Sequence, residues 1–318
     1  MIVGAGLAAS FDILLAALLL VIALWIVAAR GTFAAVVVFA GLGLLVGIAW
    51  VRLDAVDVAL TETAIGSGMT GMLLIGAAAR LRGTEATAAA ASLPLRIVAG
   101  ILCALVTVGL AAVILVPPAK IITLAPEAMA HLHESGLGNP VAGVLFVYRA
   151  FDTLLEKVVL LLALMAVWSL APDRCWGGIP GLRVSAESNG ILGYLAQLLP
   201  PVGIVFGIYT CWVGADRPGG AFQGGTVLAA MWILVMLAGL QRVPATGRRA
   251  LRAMVVVGPA AFLVIGVAGF FLAGGFLAYP AGYAKPLIVI VEFTLTLSIA
   301  VILGLIAAGP PQRMPQDG

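Results

Sequence analysis

Pro286 to Ala307 reads PLIVIVEFTLTLSIAVILGLIA, an unbroken apolar run with one ionisable residue, Glu292. A transmembrane helix needs about 20 predominantly apolar residues. A barrel strand would instead alternate polar and apolar positions over about 10 residues. Backbone in lipid must satisfy its own hydrogen bonds, so this run is read as a helix. Runs of the same kind, rich in Leu, Ala, Val and Ile, recur along all 318 residues. They predict an all-α, polytopic helical bundle with about nine transmembrane helices, at 7–29, 33–51, 55–80, 95–117, 141–171, 190–213, 219–241, 251–274 and 283–307.

Composition supports the same class. Hydrophobic residues make up 63%, charged residues 10%, and the mean hydropathy is +1.19. A soluble domain carries roughly 25% charged residues. The net charge is +3 with no basic stripe, so nucleic acid is not an expected partner; the lipid bilayer is. No Lys or Arg precedes the first apolar run, so it lacks the n-region of a cleaved signal and is read as a mature helix. Cys103, Cys175 and Cys211 have no metal-ligand spacing and read as small hydrophobes. His131 and His133 read as loop-surface histidines. The sequence shows no metal site, cofactor pair, nucleotide loop or nucleophile with a base, so it is read as no enzyme in its own right.

Lys and Arg distribution sets the expected orientation. Arg30, Arg80, Arg82, Arg96, Arg174, Arg183, Arg242, Arg248, Arg249, Arg252 and Arg313 fall on one side. Only Arg52, Lys120, Arg217 and Lys285 fall on the other. The rich side is expected to be cytoplasmic, which puts the N-terminus outside and the C-terminus inside. Pro117-Pro118, Pro140 and Pro172 frame two longer connections, which divide the chain into groups of three, two and four helices.

Ionisable groups inside a bilayer cost at least about 2.5 kcal/mol near its centre, so each needs a partner, a wet cavity or a proton. Glu62 lies in DVALTETAIGSGMTG beside Thr63, Ser67 and Gly71, a stripe that lets another helix approach. Arg149, Asp152 and Glu156 share one helical face in YRAFDTLLEKVV. Arg149 and Asp152 are expected to form a structural ion pair. Asp152 and Glu156, one turn apart, are expected to resist double ionisation, so that one of them holds a proton. Lys157 points about 100° away from Glu156 and is expected to meet a different neighbour. Glu292 lies near Thr294, Thr296 and Ser298. Asp12 reads as a helix-end residue. Glu62, Asp152, Glu156, Lys157 and Glu292 are therefore the candidate ion or proton path. Glu62 and Glu292 lie about 10 Å below the outer surface at 1.5 Å per residue, which predicts a half-channel open to the outside.

Helices six and seven are joined by GADRPGGAFQGGTVLAAMW. Gly219, Gly220, Gly224 and Gly225 flank Phe222 and Gln223, a spacing suited to tight helix packing between subunits or to a broken helix. Pro200-Pro201 is expected to interrupt helix six.

At these motifs the chain resembles a known family. PGGAFQGGTVLAA is similar to the signature of the B component of Mrp-type multisubunit cation/proton antiporters, a four-helix protein whose last helix carries a glutamate, where Glu292 falls. DVALTETAIGSG resembles a three-helix module in the C-terminal part of the A component. NPVAGVLFVYRAFDTLLE, with Asn139, Arg149, Phe151, Asp152, Thr153 and Glu156, resembles the two-helix module that follows it. The family version reads R-G-F-D-T-x-G-E; Ala150 and Leu155 replace its glycines. The resemblance implies three modules, 1–90, 91–188 and 189–318, in family order. It implies an accessory membrane component related to respiratory complex I, working with other antiporter or complex I-like membrane subunits in a bacterial or archaeal cytoplasmic membrane. Na⁺ or another monovalent cation and H⁺ are the implied transported ions. The same modules occur as small subunits of membrane-bound hydrogenase and sulfane-reducing complexes, so a redox-driven pump stays open, as does a scaffold whose buried charges only hold neighbours in register.

Overall fold

A computed structural model describes residues 2–85, 92–116, 123–182 and 190–314. Lys120, Arg183 and the Pro117-Pro118 pair lie outside the described residues. The chain is an all-α, multi-pass membrane protein. Its helices are α1 (Ile2–Ala28), α2 (Thr32–Arg52), α3 (Val56–Glu62), α4 (Gly71–Glu85), α5 (Leu93–Leu115), α6 (Ala125–His131), α7 (Pro140–Gly143), α8 (Ala150–Ser169), α9 (Ile191–Val213), α10 (Ala221–Leu237), α11 (Arg249–Leu272) and α12 (Ala284–Ala308). Each expected span corresponds to one of these or to a merged pair. Seven helices among the described residues are long and apolar enough to cross a membrane. The two other expected spans are α8, which carries Asp152, Glu156 and Lys157, and α10, which has 17 residues.

Two π-helical segments interrupt the α-helical runs. Thr63–Thr70 joins α3 to α4, and Val144–Tyr148 joins α7 to α8. The second ends at Arg149, whose φ of −130° and ψ of 36° break the helical ladder. The Thr153 hydroxyl then donates to the Leu145 carbonyl at 2.6 Å.

The core is organised around α12, whose Ile288, Val291, Leu295 and Ile299 are almost wholly buried. It packs against α8, α9, α10 and α11. Gly258 of α11 allows this closeness, since a Cβ there would meet Leu295 Cα at 2.8 Å. Pro259, inside α11, has no N–H to donate, and the ladder needs repair there. Ser298 supplies it: its hydroxyl donates to the Met254 carbonyl at 2.8 Å, lies 3.1 Å from the Val255 carbonyl, and accepts from Gly258 N–H at 2.9 Å. The polar residues around Glu292 are thus largely self-satisfied. Thr294 and Thr296 return their hydroxyls to carbonyls one turn back.

Pro200-Pro201 does not interrupt its helix. Ile191–Val213 runs continuously through both prolines, because a helix packed against neighbours tolerates the loss of two donors.

The first three helices form a separate layer. Thr63 and Ser67 pack on Gly47 and Gly43 of α2, and Gly71 packs on Ala40, so the small-residue stripe finds its partner within this chain. Arg52 pairs with Asp12 across α1 and α2 at 2.7 Å. α5 buries none of its residues. At the end of the bundle that carries Arg248 and Arg313, Ile179–Pro180 (β1) pairs antiparallel with Pro311–Arg313 (β2). Thr246 and Gly247 donate their N–H groups to Gly178 and Gly177 there, which ties three connections together.

Candidate functional site

The site is built around the glycine motif. Gly219 and Gly220 take φ of 150° and 133°, a region that L side chains avoid. They turn the chain so that α10 starts at Ala221. Gly224 and Gly225 have another task. A Cβ on Gly224 would meet the Gly207 carbonyl at 2.6 Å, and one on Gly225 would meet Ile299 Cγ2 at 2.8 Å. They let α10 lie directly on α9 and α12.

Gly214 and Gly220 make room for Glu292. A Cβ on Gly214 or Gly220 would lie 3.0 or 3.1 Å from its Oε1. The Ala221 backbone N–H, at the first turn of α10, interacts favourably with this carboxylate, a placement that the helix dipole favours. Glu292 is 2% exposed, and its Oε2 has no hydrogen-bond partner among the described residues.

α3 closes the facing wall. The Gly219 N–H donates to Asp57 Oδ1 at 2.9 Å. Gln223 Nε2 donates to Thr61 Oγ1 at 3.0 Å, and that hydroxyl donates to the Asp57 carbonyl at 2.9 Å. Asn139 braces the same turn from the start of α7. Its Nδ2 donates to the Gly214 and Arg217 carbonyls at 3.0 Å each, and its Oδ1 accepts from Val141 N–H at 2.9 Å. Asn139→Ala is expected to cost about 1 to 3 kcal/mol through unsatisfied buried carbonyls, read as a lower unfolding temperature of the purified chain.

α8 supplies the third wall. Lys157 is buried and Glu156 is half-exposed, with Nζ 2.7 Å from Oε1. The Lys157 ammonium also lies 5.2 Å from the Phe222 ring centroid, within cation–π range. Lys157 therefore does meet a different neighbour, but it pairs with Glu156 as well. The expectation from helical angle fails because a four-carbon stem can swing across 100° of helix surface.

These walls enclose a cavity of about 320 Å³, lined by Asp57, Thr61, Glu156, Lys157, Gln223 and Glu292 among others. Three of the sequence-predicted path residues, Glu156, Lys157 and Glu292, meet there. The others do not. Arg149 and Asp152 form an ion pair on the surface, both more than half exposed. Asp152 and Glu156 each take a separate cation rather than facing one another. Glu62 folds back on Gly66 and faces Gly43 of α2, outside the cavity. Sequence reasoning misses Asp57 and Thr61. Their four-residue spacing, continued by Ile65, puts all three on the cavity face, and that spacing is the signal that could have found them. His131 is a surface group paired with Glu134 at 2.7 Å, which raises its imidazole above the ordinary value.

Residues 17–83 match the family MbhD, described as the D component of MBH, and residues 191–309 match MnhB, the domain related to the MnhB subunit of Na⁺/H⁺ antiporter. The chain joins an MbhD-like module to an MnhB-like module. An uncharacterized protein of Methanocaldococcus jannaschii is 31% identical over 154 residues, 44% of this chain and 59% of that protein. The Mrp complex from Dietzia sp. superposes with a TM-score of 0.74 at 23% identity, over 96% of this chain and 35% of the matched chain. The membrane-bound sulfane sulfur reductase, an archaeal respiratory membrane complex, superposes with a TM-score of 0.55 at 23% identity, over 67% of this chain and 97% of that one. At that identity the likeness is one of fold. The chain spans less than two thirds of the Methanocaldococcus protein and of the Dietzia chain. Asp57 and Thr61 belong to the MbhD-like module, and the glycine motif and Glu292 to the MnhB-like module. Glu156 and Lys157 come from the stretch between them, so the cavity exists only where all three meet.

Proposed function

We propose that this chain is a membrane subunit of a multisubunit monovalent cation/proton antiporter of the Mrp type, in a bacterial or archaeal cytoplasmic membrane. Its N-terminus faces out, its C-terminus faces in, and it acts as a transporter component rather than an enzyme. Na⁺ or a similar cation and H⁺ are the transported ions, and other antiporter or complex I-like subunits complete the path. The observation that carries this reading is the polar cavity, where Asp57, Glu156, Lys157 and Glu292 converge inside an apolar body. Such groups persist at membrane depth where ions or protons move. The half-exposed Glu156 is the entrance, and Glu292 the innermost carboxylate. Glu62 and Asp152, outside the cavity, belong to the approach at most.

The whole operon, expressed in a host stripped of Na⁺/H⁺ antiporters, tests this. Everted vesicles should lose ΔpH on addition of Na⁺, K⁺ or Li⁺, and Glu156→Gln should slow that loss by about tenfold or more, 1.4 kcal/mol in barrier. No response to any cation from an assembled complex would sink the reading. The MbhD match favours one alternative, membership of a redox-driven pump. Metal-cluster proteins encoded beside this chain, with ion movement that needs an electron donor, would select it.

A further inference from the structure

The charges around Glu292 do not balance. From α8, Glu156 and Lys157 neutralise each other. From the α9–α10 connection, Asp216 is neutralised by Lys285 of α12 at 2.6 Å, and Arg217 is exposed. α9 offers the Cys211 thiol, 3.0 Å from the Thr296 hydroxyl. α10 offers Gln223, which is neutral, and α11 lends no residue to the cavity lining. That leaves two carboxylates from opposite walls. Asp57 is 8% exposed and Glu292 2%, and both line the same cavity. Glu292 Oε2 has no partner among the described residues. Two buried carboxylates that face one cavity leave negative charge there, and burying such charge without a counter-charge is costly.

We propose that Asp57 and Glu292 form a two-carboxylate site between the MbhD-like and MnhB-like modules, which takes one partly hydrated monovalent cation or, in its place, one proton, and that cation occupancy fastens the two modules together. The inference rests on the antiporter reading and deepens it. When the cation enters, the protonated carboxyl releases one H⁺ to water, so the charge of the cavity is unchanged. A volume of about 320 Å³ holds an ion with several waters, each needing about 30 Å³. The Gly219 and Ala221 N–H groups offset the charge that remains. A divalent ion suits the site poorly: Ca²⁺ takes about 6 to 8 oxygen ligands, and the Lys157 ammonium would repel a double charge more strongly.

The test uses the purified full chain in detergent. Its unfolding temperature is followed as choline chloride is replaced by NaCl, LiCl or KCl at constant ionic strength. At least one alkali cation should raise it saturably, more at alkaline than at mildly acidic pH. Asp57→Asn and Glu292→Gln should each remove the rise, while Glu127→Gln, in the exposed α6, keeps it. No rise with any of the three cations, or an equal rise in wild type and both cavity variants, overturns the site. Should a variant fail to fold, the wild type in weak buffer decides: one H⁺ released per cation bound supports the exchange, and cation binding without proton release overturns it. The two proposals separate cleanly. Cation-driven ΔpH collapse that survives in both variants overturns this site and spares the antiporter reading. Binding lost in both variants, with no ΔpH response from the assembled complex, supports the site and overturns the antiporter reading.

Discussion

Glu292→Gln is expected to slow cation-driven proton exchange at least about tenfold while the protein still folds and assembles. Gln keeps the shape of the side chain and one oxygen for the Ala221 N–H. It removes the charge that a cation needs and the group that a proton would occupy. Among the described residues, Glu292 is the most enclosed carboxylate of the cavity and the only one with a buried oxygen left without a partner. ΔpH measured in everted vesicles gives the rate, and native gel electrophoresis gives the assembly. An unchanged rate in a normally assembled complex would remove Glu292 from the path.

Gly219→Val is expected to be the most damaging substitution to the fold. The residue stands at φ 150°, and its new Cβ would approach the Thr210 carbonyl oxygen at 2.5 Å. Backbone held in such a region by a branched residue costs about 1 to 3 kcal/mol, and forced overpacking adds about as much again. The shift would also withdraw the N–H that Asp57 accepts. Gly282→Ala is the matched control: its φ is +78° and nothing lies within 4 Å of the added carbon, so only the conformational penalty applies. Thermal unfolding of the two purified variants should differ by several degrees. Equal melting temperatures would mean that the turn before α10 is not held as described.

The spans were legible because the apolar runs are continuous and long, and the lipid leaves their backbones no option but helix. Glu156, Lys157 and Glu292 were legible for the same reason, as charges where charge is costly. What escaped was which charges meet. Asp57 sits at the start of a helix, where a carboxylate ordinarily ends in water, so its burial against Gly219 depends on a contact with a turn 162 positions away. Glu62, five residues further on, carries the same chemistry on another face and drew attention to the wrong wall. The break at Arg149 and the π segment before it were equally hidden. No glycine or proline at Arg149 announces the break. Pro200-Pro201 misled in the opposite direction, since a rule drawn from helices in water overstates what proline does in a packed membrane helix.

The helix that buries nothing in its own chain has a consequence for how the cavity holds together. α5 follows the MbhD-like module in the sequence and buries none of its residues. The polar grip between that module and the rest is slight, with one backbone N–H on Asp57 and one amide on Thr61. Met69 and Met72 add apolar packing against the core, but the polar contacts alone would hold two free partners weakly. A tether changes the arithmetic, because linked partners face each other at an effective concentration in the millimolar range. α5 is therefore best understood as a leash: it keeps a weak handshake populated, and weakness is what allows the grip to be tightened or released by a single ion.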